Sequence, residues 1–395
     1  MAEEHAVATL TTPTNSHNGT SKPAPQKAGL EDVVAGQSSI CLLDGKRGIL
    51  AYRGYDIHDL VKGSFEETAY LLLYSKLPNT SELAEFNAKL VKSRSVAKPV
   101  MDRIKEMPRN IHPMAALRTL VSEAGLYDTQ AEDMSREANI EKSIRMIGMF
   151  PLLVAYYDAS RNGREFLQPK ASLGHAANFL YLLLGKEQDA EVVKMFDSAL
   201  ILHADHEFNA STFTGRCIAA TLSDIYSAVT GAIGALKGPL HGGANEQVMK
   251  MLLKVGDPKK AKEWITDALA RKEKIMGFGH RVYRTEDPRA THLRQFSERM
   301  GQRTGQPQWY EMSKTIEQFI LEEKHLYSNV DFYSASTYYM MGIPLDLYTP
   351  IFAISRVSGW TAHCLEQYAN NRIIRPMAEY TGPVDSVWKP AAERA

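Results

Sequence analysis

Cysteine is scarce in this sequence: Cys41, Cys217 and Cys364 are the only three among 395 residues, far apart and odd in number. They make neither a disulfide framework nor a metal-ligand spacing, which favours a reducing compartment. Net charge is missing as well, since 46 basic and 46 acidic side chains balance to +0. That balance excludes bulk steering towards nucleic acid or an anionic membrane, while leaving room for a local basic pocket. No apolar run is long enough to cross a bilayer; the longest, around Met146–Tyr157, is interrupted by Pro151. A repeat of fixed period is absent, which excludes a solenoid. The opening Met1–Lys27 lacks Arg and lacks an apolar stretch, and it carries Glu3 and Glu4 among Thr, Ser, Asn, Pro and Ala. This composition speaks against a secretory signal or a mitochondrial presequence and predicts a disordered tail over 1–28. A cytoplasmic location is the expectation that follows.

What is present is a globular composition, 44% hydrophobic and 23% charged, over a length that allows two packed cores. Ser39–Tyr52 reads as two short strands around an Asp44-Gly45 turn, glycine supplying the positive φ of a tight hairpin. From there the pattern is helical. Ser64-Phe-Glu-Glu67 is a capping box ahead of the apolar run Thr68–Tyr74. Leu83, Phe86 and Leu90 form one helical stripe. Pro108, Pro113 and Asn162-Gly163 punctuate helices, and Glu137–Ala159, Leu173–Leu184 and Ala190–His203 read as long buried ones.

Glycine and proline cluster at Gly231, Gly234, Gly238, Pro239, Gly242 and Gly243, and again at Gly342-Ile-Pro344. The stretch between them has its own helical patterns, Pro258–Lys274 and Glu311–Lys324. A mainly α, two-domain chain is expected: a large domain over 29–236, a small one over 237–343, and a return to the large domain over 344–395 around a last helix near Phe352–Tyr368. Glycines at both crossings suit a domain that opens and closes.

Five blocks carry candidate chemistry, each with a plain structural alternative. His203-Ala-Asp-His206-Glu207 lies at a helix end; the zinc-protease pattern fails because Ala210 stands four residues after His206. Lys237-Gly-Pro-Leu-His241-Gly-Gly opens a helix, where free N–H groups disfavour a protonated ring and a neutral imidazole can polarise a carbonyl. Its glycines alone would also explain a turn. Gly277-Phe-Gly279-His280-Arg281-Val-Tyr-Arg284 is half of a dinucleotide fingerprint with Val282 in the third glycine's place and no βαβ unit around it. Lys274, Arg281 and Arg284 could meet phosphates or form a solvated basic face. In Asn329-Val-Asp331-Phe, the aspartate is either a helix cap or a carboxylate against aromatic walls, raised in pKa and fit to act as a base. Arg289, Arg356 and Arg375 are three possible forks for carboxylates.

In this order and at these separations the blocks resemble the motifs of the citrate synthase family, with similarity from about Gly29 through Asp385, including Tyr52-Arg-Gly-Tyr55 and Leu173-Gly-His-Ala-Ala-Asn178. The resemblance implies a two-domain helical enzyme that condenses acetyl-coenzyme A with oxaloacetate through citryl-CoA. It implies that His241 bonds the thioester oxygen, His280 polarises the ketone and Asp331 removes a methyl proton. His206, Arg289, Arg356 and Arg375 match oxaloacetate-binding positions, with Arg375 reaching across a homodimer. Arg284 matches a contact to a coenzyme A phosphate; Lys274 lies in the same region without a motif match. No metal or redox cofactor, nucleic acid or membrane is implied. 2-Methylcitrate synthases, which take propionyl-CoA, share all these residues. Outside the family, a non-catalytic helical scaffold and a thioesterase remain the competing classes; CoA release that needs oxaloacetate separates them.

Overall fold

Sixteen α-helices and one small antiparallel sheet make up the regular structure of the described residues. The computed structural model describes residues 28–30 and 33–394. The tail expected over 1–28 therefore lies, except for Ala28, outside them. Met1–Gln37 is a unit of its own, of which Ala28–Leu30 is a 3-10 turn, and Ser38–Ala395 is the second unit.

The expected hairpin is present, with a third strand added: β1 (Cys41–Asp44), β2 (Ile49–Tyr52) and β3 (Tyr55–Asp56), in that order. Its turn differs from the expectation. Asp44 pairs with Ile49, so the loop runs from Gly45 to Gly48, and the positive φ falls on Gly48 at 66°. Asp44 holds the loop by accepting the N–H groups of Lys46 and Arg47, each at 3.0 Å. Gly45 serves close approach instead: a Cβ there would stand 2.1 Å from the Val282 carbonyl oxygen. The Arg284 N–H donates to the Gly45 carbonyl at 2.8 Å, so the hairpin tip rests on the segment that follows His280.

The capping box forms as read, Ser64 accepting from the Glu67 N–H while the Glu67 carboxylate accepts from the Ser64 N–H. Ala190–His203 has the expected bounds; the helices expected at 137–159, 173–184 and 311–324 run over Arg136–Arg161, His175–Leu184 and Gln308–Lys324. Pro258–Lys274 is shorter than its pattern: a 3-10 turn, Pro258–Lys260, leads into helix Ala261–Ala270, and Lys272 turns left-handed at φ 57°. Gly231 and Gly234 lie inside helix Ile225–Leu236. Ile218 crosses close to Gly231: a Cβ there would sit 2.2 Å from its Cδ1, so the end of that side chain would have to shift.

The last helix, Tyr348–Ala369, runs through the centre and is buried from Tyr348 to Cys364. It packs against Arg136–Arg161, Ala210–Ala219 and Ile225–Leu236. Burying Ile351, Ile354 and Trp360 stabilises the fold by roughly 1.5–3 kcal/mol for each large apolar side chain. Along this helix Gly359 marks the tightest approach: a Cβ would lie 2.3 Å from the Ala204 carbonyl oxygen and 2.6 Å from Asp205 Oδ1. The helix is thereby pressed onto the loop carrying His206. Because backbone cannot swing aside as a side chain can, Gly359→Ala is expected to destabilise the protein by about 1–3 kcal/mol; an unchanged melting temperature would show that the contact is loose.

Candidate active site

Four segments come together around Arg356 and Phe352 of the central helix: the loop after His203, the turn before helix Ala244–Val255, the stretch from Gly277 to Arg289, and the start of helix Val330–Met340. His206 and His280 are brought together, their ring centroids 5.2 Å apart. Tyr283 completes a triangle with them, its hydroxyl 3.2 Å from His206 Nε2 and its ring 4.7 Å from that of His280.

Backbone donors decide the proton positions on two histidines. The N–H groups of Val282 and Tyr283 point at His280 Nδ1, at 3.0 and 3.2 Å. A nitrogen that accepts is bare, so the neutral ring carries its proton on Nε2. His241 is arranged the opposite way. The Ser211 N–H reaches its Nε2 at 3.4 Å, which puts the ring proton on Nδ1; the Ser211 hydroxyl lies 2.8 Å from the same nitrogen and 2.8 Å from Asn209 Oδ1. Trp360 in the central helix donates to the same hydroxyl at 3.1 Å and pins it. Burial, reinforced by Arg356 at His241 and by Arg289 at His280, pushes both imidazoles down to about 4. Burial first, then the cations Arg289 and Arg356 together with His280 and His241, holds His206 well below the ordinary histidine range. All three rings are neutral hydrogen-bonding groups at neutral pH.

Asp331 is not the helix cap. That place belongs to Asn329, whose side chain accepts the Asp331 N–H at 3.0 Å. Asn329 also donates to the Gly279 carbonyl at 3.0 Å, and its own N–H donates to Gly277 at 3.0 Å, tying the helix start to the strand-like segment leading to His280. Gly277 is at φ 84°, and a Cβ on it would stand 2.8 Å from both Phe332 and Val248. With the capping work done by Asn329, the Asp331 carboxylate is left over: Oδ1 is sealed from solvent without a hydrogen-bond partner. Burial raises its pKa to about 7, with Arg289 and Arg356 pulling down and Asp287 pushing up.

Arg289 and Arg356 are both buried. Arg289 is clasped by Asp287 through Nε at 2.9 Å and Nη2 at 2.7 Å, and the Val330 N–H donates to the same carboxylate at 3.2 Å. Asp287 thus joins one arginine to the helix that carries Asp331. Arg356 spends only its Nε, on the His203 carbonyl at 2.7 Å, while Nη1 is buried and unpartnered. Lys274, Arg284 and Arg375 stand outside this cluster. Each is exposed, Arg375 on the extended segment that follows Ala369.

Sequence reasoning missed Ser211, Tyr283, Asp287 and Asn329. Two of them had a local signal: Asn-x-Asp at a helix start favours a cap two residues ahead, and Asp-Pro is a common helix opening. Ser211 and Tyr283 act through contacts that only the fold creates.

The family described as citrate synthase, C-terminal domain, matches residues 29–377. This chain belongs to the citrate synthase family. Among its relatives, citrate synthase 2 of Bacillus subtilis is 54% identical over 93% of this chain and 99% of its own length. A 2-methylcitrate synthase of Shewanella oneidensis is 43% identical over 90% of this chain and 94% of its own. The citrate synthase of Thermoplasma acidophilum, solved as a ternary complex with carboxymethyl coenzyme A and oxaloacetate, superposes with a TM-score of 0.88 at 34% identity, covering 93% of this chain and 98% of its own. The mainly helical citrate-synthase-like fold follows, as does an enzyme that transfers an acyl group.

The raised value at Asp331 has a consequence for stability. Its ionised form is disfavoured in the folded protein relative to the unfolded chain, so the carboxyl lowers stability above about pH 7 and ceases to do so as pH falls towards about 4, the range of an exposed aspartate. Asp331→Asn is therefore expected to melt at a higher temperature than wild type at pH 8, with the gap closing between pH 7 and pH 4. A gap independent of pH would place the carboxylate in water.

Proposed function

We propose that the protein is a citrate synthase, joining acetyl-CoA to oxaloacetate and hydrolysing the citryl-CoA formed to citrate and CoA. The observation that carries this reading is the Asp331 carboxylate, its Oδ1 buried and unpartnered, within the field of the buried Arg289 and Arg356. A thioester α-proton is a very weak acid. A carboxylate removes it at a useful rate only if the developing enolate oxygen finds a donor at once. In this reading Asp331 takes the methyl proton and His241 donates its Nδ1–H to the thioester oxygen. His280 donates Nε2–H to the ketone of oxaloacetate, drawing charge onto that oxygen as the new carbon–carbon bond forms. His206, Arg289 and Arg356 hold the dianion's carboxylates, so that the encounter becomes an oriented pair. Water then cleaves the thioester. No metal or redox cofactor takes part in the proposed steps.

Segment 237–343 acts, in this proposal, as a small domain that closes after oxaloacetate binds and keeps water from the thioester until condensation. Arg284 binds a CoA phosphate at its edge, with Lys274 in the same region. The enzyme works as a homodimer in the cytoplasm, and Arg375 of one subunit completes the oxaloacetate site of the other. Support for the dimer comes from the segment after Ala369, which leaves Met377 at 90% exposure and Trp388 at 77%. Such apolar side chains on an extended arm suit a second copy of the chain as their cover.

Propionyl-CoA is the competing acyl donor, because a 2-methylcitrate synthase stands among the relatives. One extra methylene in an apolar pocket shifts selectivity by only about 1–3 kcal/mol. The higher identity to citrate synthase 2 favours acetyl-CoA. Comparison of kcat/KM for the two thioesters with oxaloacetate is expected to favour acetyl-CoA; a preference for propionyl-CoA would replace this reading with 2-methylcitrate synthase.

The base assignment is tested separately. Asp331→Asn is expected to lose roughly 100- to 10,000-fold in condensation rate while still binding oxaloacetate. In the wild type, kcat/KM for acetyl-CoA should fall as pH drops below about 7, the value to which burial raises Asp331. Since both catalytic imidazoles stay neutral down to about pH 4, one acid limb is expected in that range. Full activity in the asparagine variant would remove Asp331 from the mechanism.

A further inference from the structure

The proposed reaction leaves the buried carboxylate of Asp205 unused. Asp205 precedes His206 and is wholly inaccessible to solvent. Tyr52 grips its main chain, with the phenol oxygen 3.0 Å from the Asp205 carbonyl and 3.2 Å from that of Ile201. Asp205 Oδ2 lies 3.2 Å from His363 Nε2. The direction of that bond is set from behind. Arg216 Nη1 sits 3.2 Å from His363 Nδ1, and a guanidinium has only protons to give. His363 Nδ1 is therefore bare, and its Nε2–H goes to Asp205. Arg216 is anchored in turn by Glu366 at 2.7 Å, which accepts the Ser39 N–H at 2.8 Å. A chain of hydrogen bonds thus runs from exposed Ser39 and half-buried Glu366, near the hairpin's edge, through buried Arg216 and His363 to the residue beside His206.

His363 belongs to the same central helix as Arg356, and Asp205 packs along that helix. Arg356 Nε donates to the His203 carbonyl, and one turn further Gly359 brings the helix backbone against Ala204 and Asp205 Oδ1. No hydrogen bond joins Asp205 to Arg356. Asp205 Oδ1 and Arg356 Nη1 are both buried without partners. Even so, Asp205 contributes the largest favourable influence on the Arg356 charge, against the cost of burial. The arrangement keeps a counter-charge near the guanidinium while leaving its outer nitrogen unoccupied. A carboxylate bonded directly to Arg356 would instead compete with the substrate.

We propose that Asp205, oriented by His363 and Arg216, is a positioning residue that fixes Arg356 and His206 for the substrate's carboxylates without engaging either. This rests on the oxaloacetate-binding roles proposed above for those two residues. It also gives the Tyr52 motif and Gly359 a shared purpose: both hold the Asp205 segment in place.

A through-space charge effect and a positioning effect have opposite signs. Deleting a negative charge beside a dianion site tightens dianion binding if nothing moves. Losing the clamp loosens it. Asp205→Asn turns the charged acceptor of His363 into a neutral amide and sets an NH2 group where Oδ1 lies buried without a partner; measured on the full-length enzyme, it is expected to raise KM for oxaloacetate about tenfold or more, with kcat and KM for acetyl-CoA little changed. His363 supplies an independent test should Asp205→Asn fold poorly. The amide of His363→Gln reaches the place of Nε2 and is expected to restore donation to Asp205, leaving KM for oxaloacetate near wild type. The amide of His363→Asn stands at Nδ1, and that variant is expected to show the raised KM. An unchanged or lowered KM in Asp205→Asn, or equal KM values in the two His363 variants, overturns the proposal. Wild-type protein that releases no CoA with oxaloacetate overturns the functional reading instead, so the two failures are distinguishable.

Discussion

A carboxylate with one oxygen sealed from water and left without a hydrogen-bond partner is the constraint around which this protein is organised. Desolvation makes Asp331 a stronger base than an exposed aspartate, and the fold bears the cost of keeping it dry. That cost is bearable because the neighbouring charges are arranged at one remove. Asp287 takes up Arg289, so that arginine lowers the Asp331 pKa without forming a pair with it. Asn329 caps the helix, so the Asp331 side chain need not. Asp287 and Asn329 are satisfied by other groups, and the side chain meant to react is left bare at Oδ1.

The same logic sets the histidines. Each catalytic ring has one nitrogen committed to backbone N–H groups and the other left with its proton. Burial beside arginines keeps the rings uncharged, so they donate hydrogen bonds rather than lose protons. Fixed tautomers on neutral rings are preorganised donors. They need no reorientation as charge develops on a substrate oxygen, which is where electrostatic stabilisation is most effective.

Much of this was legible beforehand, and the limits of legibility have physical causes. Helix positions followed from apolar periodicity and caps, since local sequence dictates both; Ala190–His203 and the Ser64 box are examples. The hairpin's location was readable but its turn was not. Gly45 reads as a φ-driven glycine, whereas its role comes from Val282, a residue more than two hundred positions away that presses its carbonyl onto the loop. The glycines of helix Ile225–Leu236 looked like punctuation for the same reason: Gly231 answers to a crossing side chain, and sequence gives no sign of which neighbour crosses. In the site, residues of distinctive type at motif spacing stood out, as His241, His280 and Asp331 did. Ser211, Tyr283 and Asp205 have types too common to attract notice, and their meaning comes only from what the fold sets beside them. Arg375 differs again, because its proposed place lies outside the single chain.

Titration of the Asp331 carboxyl, followed by carbon NMR in protein labelled at aspartate and assigned by difference from Asp331→Asn, tests the central claim most directly. A midpoint near 7 is the expected result. A midpoint near 4, the ordinary aspartate range, would mean that water reaches the carboxylate, and the proposed base would lose the strength the reaction asks of it.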